Sequence, residues 1–80
     1  MKIKNEVLKF DVIQTLKNAG KNPADWKLKC IGPDDCLQFM RVDSEYGMVA
    51  DALINMASGY QNGDNLIILK ENVVSEMVEI

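Results

Sequence analysis

Residues 26–42 constrain the fold more than any other stretch of this chain. Trp26, Leu28 and Cys30 alternate with Lys27 and Lys29, the two-residue period of a strand with one buried face. Gly32-Pro33-Asp34-Asp35 follows. Proline presets φ there and the aspartates can bond their own backbone, so the stretch reads as a turn. Residues 36–42 then read as a return strand. A four-residue loop pairs Ile31 with Cys36, which sets Cys30 against Leu37, Leu28 against Phe39 and Trp26 against Arg41. The opposite face receives Ile31, Cys36, Lys29, Gln38, Lys27 and Met40. A slip of one residue would set Leu28 against Gln38, so the apolar pattern specifies the register. On this register the two cysteines lie on opposite faces, where no disulfide can close.

The remaining segments are read by the same periodicities. Leu8, Val12, Leu16 and Ala19 have helical spacing, which favours one helix over residues 5–19 with Gly20 as its C′ residue and Asn22-Pro23 as a stop. Asp11 and Gln14 resemble a capping box, and a helix beginning there would leave MKIKNEVLKF as a leading strand. Tyr46, Val49, Ala50, Leu53, Met56 and Ala57 predict a second helix over residues 44–58, capped by Ser44 or Asp43 and closed by Gly59. The run Gln61-Asn62-Gly63-Asp64 is a turn leading to a strand over residues 65–70. The tail after Glu71-Asn72 reads as its hairpin return strand. The expected fold is α+β, in the order α-β-β-α-β-β: two helices on one face of a four-stranded, mainly antiparallel sheet. Its core would contain Leu8, Val12, Leu16, Trp26, Leu28, Phe39, Leu53, Ile67 and Leu69.

Size and composition narrow the chemistry. Eighty residues are expected to form one domain over 1–80, and folding a chain this short buries only about 60% of its unfolded surface. Histidine is absent, which removes histidine nucleophile systems and general acid–base work. The two cysteines, spaced C-x5-C, cannot complete a four-ligand zinc site or a C-x-x-C redox pair. No phosphate-binding glycine loop occurs, and Asp34-Asp35 is accounted for by turn chemistry. The expectation is a protein that is not an enzyme and uses no cofactor, metal or small-molecule substrate. The longest apolar run, Leu66-Ile67-Ile68-Leu69, is far below the roughly 18 residues of a membrane span. The charged first ten residues do not form a secretory leader, and two thiols without one suit a reducing cytoplasm.

Charge is distributed unevenly. Residues 1–42 carry eight basic side chains against five acidic ones, whereas residues 43–80 carry seven acids against Lys70 alone, for a net charge of −3. Two surfaces follow as interaction sites. One is acidic: Asp43, Glu45, Asp51, Glu71, Glu76 and Glu79, suited to a partner protein with a basic surface. The other is the outer face of the hairpin: Lys27, Lys29, Ile31, Gln38 and Met40, with apolar anchors between rim lysines. Both sets also read as ordinary solvated faces or as surface covered by a second copy. In size, acidity and lack of catalytic motifs the chain resembles the small intracellular inhibitors made by phages and mobile elements, including anti-CRISPR proteins. That likeness implies an inhibitor acting by occupancy, and it picks out no residue. The leading expectation is therefore a small acidic protein-binding module of the inhibitor type. One alternative is a nucleic-acid-binding module using Lys2, Lys4, Lys9, Lys17, Lys27, Lys29 and Arg41; another is a structural subunit of a homo-oligomer.

Overall fold

The computed structural model describes residues 6–44 and 54–79. Its elements run β1 (Glu6–Phe10), α1 (Val12–Asn18), β2 (Trp26–Ile31), β3 (Leu37–Arg41), β4 (Ile54–Met56), β5 (Gly59–Asn62), β6 (Asn65–Ile68) and β7 (Ser75–Glu79). Five strands form an antiparallel sheet in the order β2-β3-β6-β5-β4, and β1 and β7 form a separate two-stranded ribbon. With one helix and seven strands among the described residues, the molecule is mostly β. The expected two helices on a four-stranded sheet are overturned.

The first correction concerns where the helix begins. Asp11 has extended backbone and its carboxylate accepts the Gln14 N–H at 3.0 Å, so it is the N-cap and residues 6–10 are a strand. Cap chemistry sets this boundary. The helical spacing of Leu8 with Val12 is coincidental, because Leu8 is paired across to Met77. The other end of α1 matches the glycine stop. Gly20 has φ +75°, its N–H reaches the Lys17 carbonyl at 3.0 Å and that of Lys21 reaches Leu16 at 2.9 Å. Those two bonds form a Schellman motif, whose left-handed residue glycine adopts without strain.

The 26–42 hairpin exists, with a bulge that alphabetic alternation does not reveal. Trp26 pairs with Arg41, Lys27 with Met40 and Leu28 with Phe39, as expected. At the tip, however, the Gly32 N–H bonds the Cys36 carbonyl at 2.7 Å, so Ile31 pairs with Leu37 and Cys30 with Gln38. The turn is tighter than four residues because Asp34 and Asp35 both take left-handed φ (57° and 59°) and the Cys36 N–H returns to Pro33, the signature of a type I′ turn. The one-residue discrepancy between the tip and the Trp26 end is absorbed as a β-bulge between Leu28 and Cys30. Two expectations change. Ile31 moves to the face of Leu37, and Cys30 moves to the face of Gln38. The opposite-face argument against a disulfide therefore fails, although both thiols are free, with Cys30 Sγ donating to Gln38 Oε1 at 3.4 Å.

Of the helix expected over residues 44–58, positions 45–53 lie outside the described residues. Its last turn is instead strand β4, joined to β5 by the two residues Ala57 and Ser58, with Met56 opposite Gly59. Gly59 does not cap a helix. A β-carbon there would come within 1.8 Å of the Ile67 carbonyl oxygen, so glycine lets β5 approach β6. Leu16, Trp26, Leu37, Phe39, Leu66 and Ile68 form the buried core between α1 and one face of the sheet, with Phe10, Val12, Ala19, Met56 and Val73 packed around them. Leu66 and Ile68 point inward rather than Ile67 and Leu69, while Leu8 and Leu28 are exposed and Leu53 lies outside the described residues.

The tail is a strand, but it pairs with β1 and not with β6. Its attachment to the body is polar. Thr15, fully buried on α1, accepts the Val74 N–H at 2.8 Å, and the Val74 carbonyl accepts the Asp11 N–H at 2.8 Å. No buried side-chain polar atom among the described residues lacks a partner, as expected where an isolated buried polar group costs about 1–3 kcal/mol.

Candidate functional site

Because α1 and the core occupy one face of the five-stranded sheet, residues of opposite parity form the other. Pairing places Cys30, Gln38, Ile67, Tyr60 and Asn55 in one row across all five strands. Lys27, Met40, Asn65 and Asn62 form the neighbouring row. Gln38, Met40, Tyr60 and Ile67 are half-buried, and Lys27 and Cys30 at the sheet edge are exposed. The Gln38 amide lies over the Gly32 α-carbon, where a side chain would collide with it. The centre of this face is therefore uncharged: amides, a phenol, a thioether and an aliphatic side chain. Tyr and amide side chains combine contact area with adaptable hydrogen bonding, and Met fits irregular surfaces.

Carboxylates gather at both ends of these strands. At one end, the Val42 N–H bonds the Asp25 carbonyl (2.9 Å) and the Arg41 N–H the Asp64 carbonyl (3.0 Å), which brings the Asp25, Asp43 and Asp64 positions to the same end of the sheet as Arg41. Arg41 is held in place, since its guanidinium lies 5.5 Å from the centre of the Trp26 ring and its Nε is 3.5 Å from Asp43. At the other end are Asp34 and Asp35 of the hairpin turn and Glu71, with Lys70 3.6 Å from Asp35. The side chains of these ion pairs are 38–76% exposed, and such pairs contribute little to stability. An uncharged face framed by carboxylates at its two ends is the result.

The structure redistributes the residues singled out from the sequence. Lys27, Gln38 and Met40 share the outer sheet face; Lys29 sits in the bulge, and Ile31 belongs to the core side of the edge strand. Of the acidic set, Asp43 and Glu71 lie at opposite ends of the sheet, Glu76 and Glu79 lie on the ribbon, and Glu45 and Asp51 fall outside the described residues. The acids therefore do not form one patch. The basic residues are scattered as well: Lys9 on β1, Lys17 on α1, Lys27 and Lys29 on β2, and Arg41 against Trp26. Lys2 and Lys4 lie outside the described residues. Tyr60, Ile67 and Asn65 enter the site without having been singled out. The Gly63-Asp64 dipeptide was the available signal, since glycine at the first central position commonly turns a two-residue hairpin, and Gly63 has φ 54° between paired Asn62 and Asn65.

Two open depressions complete the surface. One, of about 300 Å³, is lined by Asn18, Ser58, Glu71, Asn72, Val73 and Val74. The other, of about 380 Å³, lies at the foot of the ribbon among Lys9, Phe10, Asp11, Val12, Ile13 and Glu76. Among the described residues no group of three or more acidic or thiol side chains is placed to hold a metal ion, and no helix is long and apolar enough to cross a membrane. Comparison with known protein families, with characterised proteins and with solved structures finds no match for this chain.

Proposed function

We propose that this protein is a non-catalytic binding module that recognises another protein through the outer face of its five-stranded sheet. The observation that supports this reading is the arrangement of that face: an uncharged centre of Gln38, Met40, Tyr60 and Ile67 with carboxylates at both strand ends. Apolar and amide side chains supply the contact, and the acidic ends select a partner whose matching surface is basic at its periphery. The net charge of −3 acts in the same direction at longer range. The mechanism is occupancy, which inhibits the partner wherever the covered surface is its working one. Bond-making chemistry is left out of the proposal because the chain offers no histidine base and its carboxylates are spread over separate elements.

A photo-crosslinking amino acid placed at Tyr60, with the same group at Lys17 on the helix side as control, tests this in cells that produce the protein. The expected result is one protein adduct from position 60 and none from position 17. With the partner in hand, Tyr60→Ala is expected to weaken binding about 30-fold, the scale of an aromatic anchor, while Lys17→Ala leaves it unchanged. Equal labelling from both positions, or adducts to nucleic acid in place of protein, would overturn the reading.

A further inference from the structure

We propose that two copies of this chain join through their β1/β7 ribbons, the open edge of one β7 pairing antiparallel with the same edge of the other about a two-fold axis at Met77. Among the described residues the ribbon is a sheet of two strands, and Val7, Leu8 and Met77 on it are 44%, 40% and 58% exposed. A two-stranded ribbon is at best marginal in water unless further strands or a helix support it; here Phe10 and the Thr15–Val74 bond anchor its base, while Leu8 and Met77 lie exposed beyond them.

The backbone parity of β7 follows from one bond. The Asp11 N–H donates to the Val74 carbonyl at 2.8 Å, one step beyond the Phe10–Ser75 pair. Bonded and non-bonded pairs alternate along an antiparallel ladder. Lys9–Glu76 and Val7–Val78 are thus the bonded pairs, and Ser75 and Met77 turn their N–H and C=O groups away from β1. A two-fold axis at Met77 makes the two Met77 residues a bonded pair, with both outward groups of each satisfied.

The side chains agree with that register. On one face Leu8 and Met77 of one copy meet Met77 and Leu8 of the other, a continuous apolar row across four strands. On the other face Glu76 keeps Lys9 on one side and meets Val78 on the other; on the Met77 face Glu79, which lies across from Glu6 within each copy, comes opposite Ser75, so the new junction itself sets no two carboxylates directly against each other. The corresponding pairing through β1 would set Glu6 against Phe10, a residue packed on the core. The contrast with β2 is informative. That edge of the larger sheet carries Lys27, Lys29 and a bulge, devices that prevent strand addition, whereas β7 has neither lysine, proline nor bulge.

Sedimentation of the full chain from micromolar to about millimolar concentration tests the proposal. A concentration-dependent dimer is expected. Met77→Pro removes an outward N–H without touching a bond to β1, and should raise the dimer dissociation constant at least about tenfold while leaving the circular dichroism unchanged. Glu6→Pro removes an outward N–H from the other edge, outside the apolar row, and should leave the dimer intact. Should Met77→Pro fail to fold, Met77→Cys in a Cys30→Ser/Cys36→Ser background decides. Bonded cross-strand residues lie about 5.5 Å apart, within disulfide reach, so a thiol-specific oxidant should link the two chains in bulk. A monomer at every concentration, a dimer dissolved by Glu6→Pro and not by Met77→Pro, or no cross-link would overturn the proposal.

Discussion

Replacing Thr15 by valine isolates the contact that ties the helix to the ribbon. Thr15 is 0% exposed, and its hydroxyl accepts the Val74 N–H at 2.8 Å from 59 residues away. Valine keeps the β-branched shape and has a similar helix propensity, so the main change is an N–H left without its acceptor. That loss costs about 1–3 kcal/mol, and the added buried methyl offsets about 0.8 kcal/mol of it. The net destabilisation is about 0.2–2 kcal/mol, at its upper end a large share of the roughly 4–12 kcal/mol expected of a chain this size. At about 4–8 °C per kcal/mol for small domains, the melting temperature should fall by about 1–16 °C. Circular dichroism with heat and with urea measures the global effect; amide hydrogen exchange measures the local one. The Val74 amide should exchange faster in Thr15→Val at a given global stability, whereas Thr15→Ser, which keeps the hydroxyl and loses a methyl, should destabilise without that local acceleration. A melting temperature within about 1 °C of the parent, or about 0.2 kcal/mol on the same scale, together with unchanged exchange at Val74, would refute the reasoning.

Other substitutions probe separate parts of the fold. Gly59→Ala drives a methyl into the Ile67 carbonyl and should cost about 3 kcal/mol or more, because backbone atoms cannot step aside; an urea midpoint close to the parent's would contradict the close β5–β6 approach. Asp34→Asn with Asp35→Gly converts a turn with two left-handed aspartates into the Asn-Gly form preferred for type I′, and should raise stability by about 1 kcal/mol in the same urea titration. Leu37→Ala, at a fully buried position, should cost about 2–5 kcal/mol, against less than about 1 kcal/mol for Leu28→Ala on the exposed edge. For the partner identified by cross-linking, reversing Asp43 and Glu71 to lysine should slow association several-fold and flatten its salt dependence; an unaltered association rate in stopped flow would remove the steering role of the strand-end acids.

Some elements were legible because their signals are local. The Asp11 cap, the Gly20 stop, the hairpin turn and the pairing of Trp26 with Arg41 each depend on a few adjacent residues, and each appears where local chemistry puts it. The long first helix failed because apolar spacing was weighed above the cap: Leu8 fits a helical stripe and a strand equally well, and only the presence of β7 across from it decides. The bulge at Lys29 was hidden because a single-residue shift has no compositional mark. With it went the placement of Ile31 and Cys30 and half of the expected hairpin face. Leu66-Ile67-Ile68-Leu69 announces a buried strand but not which residues point inward, since a uniformly apolar run has no alternation to read. Ile67 was missed for this reason, having been assigned to the core, and Tyr60 because the segment before it reads as a helix and not as strand β4.

The chain's own order of residues settles the short-range features: caps, glycine positions, tight turns, and a hairpin whose apolar side would be spoiled by slippage. These arise from backbone sterics and from hydrogen bonds closed within a few residues, which any compact fold must respect. Assembly in space decided the rest. β1 became a strand through contact with residues about 70 positions away, the parity of β6 came from having β3 and β5 on its two sides, and an uncharged face framed by acids arose from strands that are not neighbours in the chain. Non-local pairing depends on which distant segments bury the most surface together, a comparison among whole arrangements that no local stretch of residues contains.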